Sequence, residues 1–331
     1  MIVAATGVQR ALLQEEFASL TFVDLPGYGI KYGKNRAITI LRLIGSIPKI
    51  LIRIKREKAW LARFTAHEGL DLVISDNRYG LIAPGVFSVF ITHQLLIKTP
   101  FGQSADLLLQ RINYRFIRRF SRCWIPDNPG EGALAGELSH PVAMPPISTR
   151  YLGVLSRMEA RPAAETVEIL VLLSGPEPQR SLLEKRILRQ AAATPARIVL
   201  VRGLPGGGKP LKDVPAGVMV HDHLRTAELE RLIAAAKWVV ARSGYSTVMD
   251  LARMRKQAVL IPTPGQTEQE YLGRHLADNH WAICVPQNGL SLAAIPAMDW
   301  SGIGWPGVDE GKRLREEVLS VLAQSRPSAL G

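Results

Sequence analysis

The chain has 331 residues, 47% of them hydrophobic, and carries 41 Lys and Arg against 29 Asp and Glu for a net charge of +12. That length holds about two domains, each with a core of its own. Cys123 and Cys284 stand far apart without metal-ligand spacing, which disfavours a disulfide framework or a zinc site and favours a reducing, cytoplasmic setting; no run of about 18 uncharged apolar residues reads as membrane-spanning, and MIVAATGVQ does not have the layout of a signal peptide.

In chain order, Met1 to Thr6 reads as a short strand, Gly7 to Phe17 as a helix and Leu20 to Leu25 as a strand ended by Pro26-Gly27-Tyr28-Gly29. Between Lys31 and Arg63 stand ten Lys or Arg and one acid, Glu57, interleaved with Ile and Leu; a second basic cluster runs from Arg111 to Arg122. Cations alternating with apolar residues at near-helical spacing suit a face lying on anionic lipid headgroups. An amphipathic core helix with a solvated basic side is the alternative. No helix-turn-helix, zinc-finger or aromatic RNA-binding signature accompanies the charge, so a nucleic-acid partner is not expected. Leu70 to Ser75 and Val86 to Thr92 read as buried strands, and the polar residues that follow them, Asp76, Asn77, Tyr79, His93 and Gln94, are expected to share one wall, because residues after consecutive parallel strands line one crevice. His93 alone reads equally as a turn residue making a structural hydrogen bond. Pro126 to Pro146, rich in Pro and Gly without apolar periodicity, reads as the linker between the halves.

The second half opens at Tyr151 to Arg157, and Val167 to Leu173 is a strand followed by Ser174-Gly175 and a helix from Ser181 to Ala192. That turn can present backbone N–H groups to phosphate, although Pro176 and Pro178 remove donors. After the strand Ala196 to Arg202, Gly203 to Pro210 has the spacing G-x-x-x-x-G-K of a phosphate loop but puts Pro210 where a Ser or Thr must hold magnesium; it reads as a flexible loop. Gly217 to His221 is a strand leading to Asp222-His223-Leu224, then Glu228 to Ala236 a helix. Val239 to Ala241 is a strand that stops at Arg242-Ser243-Gly244 and passes into a helix from about Ser246 to Arg255, followed by the strand Ala258 to Ile261, a polar loop and a further helix. A strand handing over directly to a helix leaves the unpaired N–H groups of its first turn facing outward, where they hold an anion such as a pyrophosphate. Asp250, one turn past Ser246 and Thr247, then suits a ribose diol, and Gln266, Glu268, Gln269 and Glu270 suit sugar hydroxyls. Alternatively, Ser243 and Ser246 cap the helix, Asp250 offsets its dipole and the loop is solvated. Trp281 to Val285 reads as a late strand and Asp309 to Leu322 as a final helix that crosses back onto the first half.

ARSGYSTVMDLA with VLIPTPGQTEQEYLGRHL resembles the C-terminal half of glycosyltransferase family 28, which includes the transferases adding N-acetylglucosamine to the lipid-linked muramoyl-pentapeptide of peptidoglycan synthesis. The resemblance is clearest from Tyr151 to about Leu290. It implies an α/β, GT-B fold of two doubly wound Rossmann-like domains facing a cleft: an acceptor-side domain over 1–148, incomplete at its start, and a UDP-sugar-binding domain over 149–331. It further implies that the donor lies on Ser243, Gly244, Tyr245, Ser246 and Thr247, with Asp250 on the ribose where the family usually has Glu, and Gln266, Gln269 and Glu270 on the sugar. Ser174 and Gly175 correspond to the family's Gly-Gly-Ser turn, His223 and Leu224 to the residues beside the uracil, and Arg157, in the spacing Gly-x-x-x-Arg, to the Arg brought to the diphosphate. Thr92-His93-Gln94-Leu95 keeps part of the family's His-Glu-Gln-Asn element.

The implied reaction is inverting transfer of a sugar from UDP to a lipid-linked or membrane-proximal acceptor, with no cofactor and with no metal needed if helix N-termini and Arg157 neutralise the leaving diphosphate. A UDP-sugar-binding protein without transferase activity and a sugar-nucleotide epimerase are the alternatives. The family begins with a strand and a Gly-rich turn carrying a His near the reacting hydroxyl. This chain starts at what resembles the second strand, so it is expected to be a fragment, or to have a misassigned start, and to bind UDP-sugar better than it turns it over.

Overall fold

The computed structural model describes residues 1–25, 36–164, 166–309 and 311–325, with the side chains of 8, 36–44, 46 and 47 set aside. The turn expected at Pro26 to Gly29 and the first cations of the basic stretch, Lys31 and Lys34, lie outside the described residues. The chain divides into two compact units, Met1–Ile44 with Ser156–Pro306, and Gly45–Leu155 with Gly307–Gly331. This division departs from the expected boundary at 148/149 at both ends of the first half. Strand β1 (Ile2–Ala5) and strand β2 (Thr21–Asp24), with helix α1 (Gly7–Glu16) between them, form a two-stranded parallel sheet among the described residues. Arg225 Nε meets Glu15 at 2.6 Å, one of the contacts that group this segment with Ser156–Pro306.

The larger unit is built on six parallel strands: β7 (Val167–Leu172), β8 (Ile198–Val201), β9 (Val218–His221), β10 (Ala236–Ala241), β11 (Ala258–Leu260) and β12 (Ile283–Cys284). They lie in the order β12-β11-β10-β7-β8-β9. Helix α4 (Gln179–Ala191) connects β7 to β8, α5 (Thr226–Ala235) connects β9 to β10, and α6 (Tyr245–Arg253) and α7 (Thr267–Asp278) follow β10 and β11. The strands are runs of Val, Ile, Leu and Ala because helical connections cover both faces of a parallel sheet. Ile169, Val171, Val240 and Val259 pack with Leu183 and Ile187 of α4, while Leu170, Val239 and Leu260, at the alternate positions, are buried as well. Ile187 is completely buried, and truncating it to Ala would cost about 2–5 kcal/mol.

The other unit has four parallel strands in sequential order, β3 (Leu72–Asp76), β4 (Phe87–Ile91), β5 (Arg122–Ile125) and β6 (Thr149–Tyr151). The chain therefore leaves this sheet only after β6, which moves the boundary past 148. Helix α2 (Arg36–Glu68), with Pro48 inside it, precedes β3, and α3 (Gln103–Ile117) precedes β5. One sheet face packs Phe90, Cys123 and Ile125 against Leu95, Ile117 and Phe120. The opposite face packs Val89 and Trp124 against Leu314, Val318 and Val321 of the last helix, α8 (Lys312–Ser325). Glu317 of α8 accepts hydrogen bonds from Arg122 and from Trp124 Nε1. Arg122 is thereby buried in an ion pair and does not belong to the exposed basic cluster.

The expected linker, Pro126 to Pro146, is folded into this unit instead. Asp127 is fully buried and accepts from the N–H groups of Asn128 and Leu134 (2.8 Å each) and Ala135 (2.9 Å) and from Ser139 Oγ (2.6 Å). One carboxylate satisfying four donors orders a segment that has no apolar period of its own.

Candidate functional site

In the six-stranded sheet the chain runs outward from β7 through β8 to β9, then returns to the other side of β7 for β10, β11 and β12. The order reverses between β7 and β10, and a crevice opens beyond the strand ends at such a point. The two turns flanking it are Ser174-Gly175 after β7 and Ser243-Gly244 after β10. Gly175 is exposed with φ +94°, and a Cβ there would sit 4.0 Å from Thr263 Oγ1. That Thr263 hydroxyl is buried and has no hydrogen-bond partner among the described residues. Gly244 is the N-cap of α6, without a side-chain cap, and a helix start of this kind favours an anion.

Side-chain burial divides the residues of this turn. Ser243 is fully buried and its Oγ donates to Gln269 O (2.8 Å), while Tyr245 is 4% exposed, so both can offer a ligand only their main chain. Ser246 is exposed and Thr247 half-buried. Asp250 Oδ1 accepts from Ser156 Oγ at 2.7 Å. Burial raises the Asp250 carboxyl above its ordinary value, opposed by the Ser156 hydrogen bond and by the nearby charge of the exposed Arg157. The structure thus brings Arg157 and Asp250 together. Gln269 and Glu270 are turned inward: Gln269 Oε1 accepts from Thr263 N (2.9 Å) and Glu270 Oε1 from Gly265 N (3.0 Å), fixing the loop that ends at Gln266, the N-cap of α7. His223 and Leu224 are half-buried just beyond β9.

The loop from Gly203 to Pro210, expected to be flexible, is tied down. Asp222 accepts from Gly208 N (2.9 Å) and from Arg202 Nη1 (2.5 Å), which also donates to Lys209 O (3.0 Å). Arg202 is buried and needs these acceptors together with Glu184 (Nε to Oε2, 2.8 Å). The Gly208 N–H, with Arg202, holds the Asp222 carboxyl below its ordinary value.

At the corresponding strand ends of the smaller unit, Asp76 closes β3 and His93 follows β4. Asp76 and Asn77 are exposed, and His93 and Gln94 half-buried. Leu95 N and Leu96 N donate to Leu138 O, which sets the loop after His93 against the segment carrying Ser139 and His140. Tyr79 does not join this wall: its ring stacks on Phe90 and its OH donates to Asn113 Oδ1 (2.7 Å). Burial pushes its pKa up to about 12. Among the described residues no group of three or more His, Cys, Asp or Glu could hold a metal ion.

Residues 222–297, from the end of β9 through α7 and β12, match the model of the glycosyltransferase family 28 C-terminal domain. Over these residues the chain is similar to family 28. It is 30% identical over 169 residues to a UDP-N-acetylglucosamine--N-acetylmuramyl-(pentapeptide) pyrophosphoryl-undecaprenol N-acetylglucosamine transferase of Acidiphilium cryptum (strain JF-5), over 50% of this chain and 45% of that protein. The protein of the same description from Paenarthrobacter aurescens (strain TC1) is 29% identical over 153 residues, 43% of this chain and 41% of the relative. The chain thus matches less than half the length of either curated relative. The crystal structure of the kitacinnamycin glycosyltransferase superposes with a TM-score of 0.64 at 14% identity, over 98% of this chain and 91% of that one, and the fold is GT-B.

The structure adds residues that the sequence pattern passed over. Arg242 is 1% exposed, directly behind the Ser243-Gly244 turn. Among the described residues its Nη atoms donate to neutral acceptors, the carbonyls of Ile261, Pro262 and Gln179 and Gln287 Oε1. Nε has no partner among the described residues. Burial lowers its pKa to about 10, so it keeps its charge at neutral pH. A charged residue closing an apolar strand, as in VVAR, is the signal that could have flagged it. Ser156, one residue before Arg157, and Thr263 gave none, because their roles depend on Asp250 and Gly175, which are distant in sequence.

Proposed function

We propose that this chain transfers N-acetylglucosamine, with inversion, from UDP-N-acetylglucosamine to a lipid-linked acceptor at a membrane surface. The observation that carries the reading is the reversal of strand order between β7 and β10, with the N-terminus of α6, the buried Arg242 and the exposed Arg157 all beside it. Two cations and a helix N-terminus suit a diphosphate, and they act most strongly when that group departs carrying negative charge. Asp250 keeps one carboxylate oxygen for a ribose hydroxyl while Ser156 holds the other. Ser174, Gly175 and Thr263 border the phosphates, His223 and Leu224 the base, and Gln266 and Gln269 the sugar, Gln269 through its Nε2 because Oε1 is engaged, while Glu270 holds the loop. Transfer needs no metal in this scheme, since the leaving charge is met by these groups.

Calorimetric titration with UDP-N-acetylglucosamine, GDP-mannose and dTDP-glucose tests the donor half, and the reading is lost if the uridine compound does not bind preferentially. Release of UDP dependent on added N-acetylmuramyl-(pentapeptide) pyrophosphoryl-undecaprenol tests the acceptor half; release that ignores the acceptor points to hydrolysis.

The membrane part of the proposal rests on α3 and its surroundings. Phe101, Leu107, Leu108 and Ile112 are exposed large apolar side chains, and Arg111, Arg115, Arg118 and Arg119 are exposed around them. Tyr114 OH donates to Ala143 O (2.6 Å), which brings the exposed Val142 and Met144 alongside. On α2, Leu51, Ile52, Lys55, Arg56 and Lys58 are exposed in the same mixture. No helix among the described residues is long and apolar enough to cross a membrane, and this surface suits peripheral binding on the inner face of a plasma membrane. Sedimentation with vesicles of phosphatidylglycerol should deplete the protein, and vesicles of phosphatidylcholine should not.

A further inference from the structure

In the smaller unit the segment after β5 holds a histidine whose protonation state is fixed by its neighbours. His140 is half-buried, and its ring stacks on that of Tyr151 with the centroids 4.4 Å apart. On one side the N–H of Gly130 donates to Nε2 (3.2 Å), and on the other Nδ1 lies 2.8 Å from Ser139 Oγ. A backbone N–H only donates, so Nε2 is the acceptor and the neutral ring carries its proton on Nδ1. The Ser139 hydroxyl fits that assignment. It is fully buried and gives its own proton to Asp127 Oδ2 at 2.6 Å, a shorter contact than the 3.1 Å to Gly136 O, which leaves its lone pairs to accept from Nδ1.

From Gly130 through His140 and Ser139 to Asp127 the hydrogen bonds run in one direction, and they do so only with a neutral imidazole. A proton added at Nε2 would face the Gly130 N–H, donor against donor. Turning the ring over would set a carbon against each partner. The ring is also held in place, because His140 N donates to Gly136 O (2.9 Å) and Tyr151 OH to Ser139 O (2.9 Å). The turn it grips is the part able to yield: Pro129, Gly130 and Glu131 are exposed, and Gly130, at φ +75°, has no atom of the described residues within 4 Å of where a Cβ would stand. Asn128, whose Nδ2 donates to Gly132 O (3.0 Å), ties the ends of this turn, and His140 ties its crest. The turn follows β5 directly, at the strand ends where a parallel sheet binds its ligands.

We propose that His140 is a pH-operated latch on the turn at Gly130: the neutral ring holds the turn down, and a proton taken up at Nε2 releases it. The latch lies wholly within the smaller unit and is independent of the transferase reading above. Burial holds the His140 imidazole below its ordinary value of 6.5, while the charge of Asp127 and the backbone of Gly136 oppose that fall. Asp127 faces the ring from the segment after β5 and Tyr151 from β6; Tyr151, pushed up to about 12, stays neutral while the ring titrates. On its own segment Glu137 is paired with Lys98 at 2.6 Å, and Glu131 is exposed. A folded value below the unfolded one means that the native state sheds this proton more readily. The latch therefore contributes in full above pH 6.5 and is lost as pH falls from there through the folded value.

Nitrogen-15 NMR of the full chain tests the latch. At neutral pH the ring should show the Nδ1–H tautomer, and a ring in the Nε2–H tautomer overturns the proposal without any variant. Amide exchange gives the second readout. Once the ring titrates, protection of the Gly130 N–H should fall by about ten-fold for each unit of pH lowered, while that of Leu134 N, bonded to Asp127 at 2.8 Å, holds constant. His140→Gln keeps a side-chain oxygen able to accept from Gly130 and removes the titration, so protection of Gly130 should no longer change with pH. Wild-type protection of Gly130 that is level between about pH 7.5 and about pH 5, a fall shared equally by Leu134, or a fall of the same size in His140→Gln each overturns the proposal.

Discussion

The two parallel sheets end in opposite chemistries. Beyond β7 and β10 stand fixed positive groups: Arg242 below the turn, Arg157 beside Asp250, and the open start of α6. Beyond β3, β4 and β5 stand carboxylates and imidazoles in two pairs, Asp76 with His93 and Asp127 with His140, each imidazole and carboxylate influencing its partner's charge. Fixed cations and helix dipoles stabilise charge without moving protons; weak acids and bases move protons. The larger sheet suits an anion, while the smaller one offers groups that exchange protons.

The largest effect expected on this contrast comes from Arg242→Met. It takes away the buried cation and leaves the carbonyls of Ile261, Pro262 and Gln179 short of donors. Hydrogen bonds from charged groups contribute about 1.5–3 kcal/mol, so Tm should fall, and loss of the nearby positive charge should weaken binding of UDP-N-acetylglucosamine; calorimetry measures both. Arg242→Lys, lacking the planar fork, should recover only part. Unaltered UDP affinity in Arg242→Met would remove the cation from the anion site.

A smaller change sharpens the ribose assignment. Asp250→Ala should weaken UDP binding by about ten-fold, and Ser156→Ala by less, because it releases a carboxylate oxygen rather than removing one. The ratio of UDP to free diphosphate affinity should fall in Asp250→Ala alone. If both ligands weaken equally, Asp250 serves the diphosphate side and not the ribose.

The smallest effect is on stability and belongs to the other sheet. Burial pushes the Cys123 thiol from 9.0 up to about 12, and Tyr79, Tyr114 and Tyr151 from 10.0 up to about 12. A raised pKa in an acid that is neutral when protonated means that the native state holds its proton more tightly. The contribution is then complete below the unfolded value and is lost as pH climbs toward the folded one. Tm should therefore fall between about pH 9 and 12, and the fall should be shallower in Cys123→Ala, since one of the four groups is gone. An identical slope in the variant would place the alkaline loss on the tyrosines alone.

Much of the larger unit was legible in the sequence. The helices expected at Ser181 to Ala192 and Ser246 to Arg255 appear as Gln179–Ala191 and Tyr245–Arg253, because apolar strands and 3.6-residue periodicity are local properties. The smaller unit was harder to read. Arg122 looked like the end of a basic cluster and opens the buried strand Arg122–Ile125, made possible by Glu317 nearly two hundred residues later. Pro126 to Pro146 looked like a linker and is held by Asp127, whose four donors are not marked by any spacing. The loop from Gly203 to Pro210 looked mobile because composition does not register that Arg202 must find acceptors once buried. Tyr79 looked like a wall residue, yet Phe90 and Asn113 drew it into the core.

By itself the sequence determined the alternation of strands and helices, the excess of positive charge, and the strand-turn-helix at Val239 to Arg253 that resembles family 28. Tertiary structure decided which side chains are free to act. It turned Ser243, Tyr245 and Glu270 inward, joined Ser156 and Arg157 to Asp250, and left Asp76 open while engaging Asp127 and His140. The reason is that hydrogen-bond satisfaction is settled between residues distant in the chain: a buried polar group takes whatever partner the fold brings to it, and only what remains unengaged is available for chemistry.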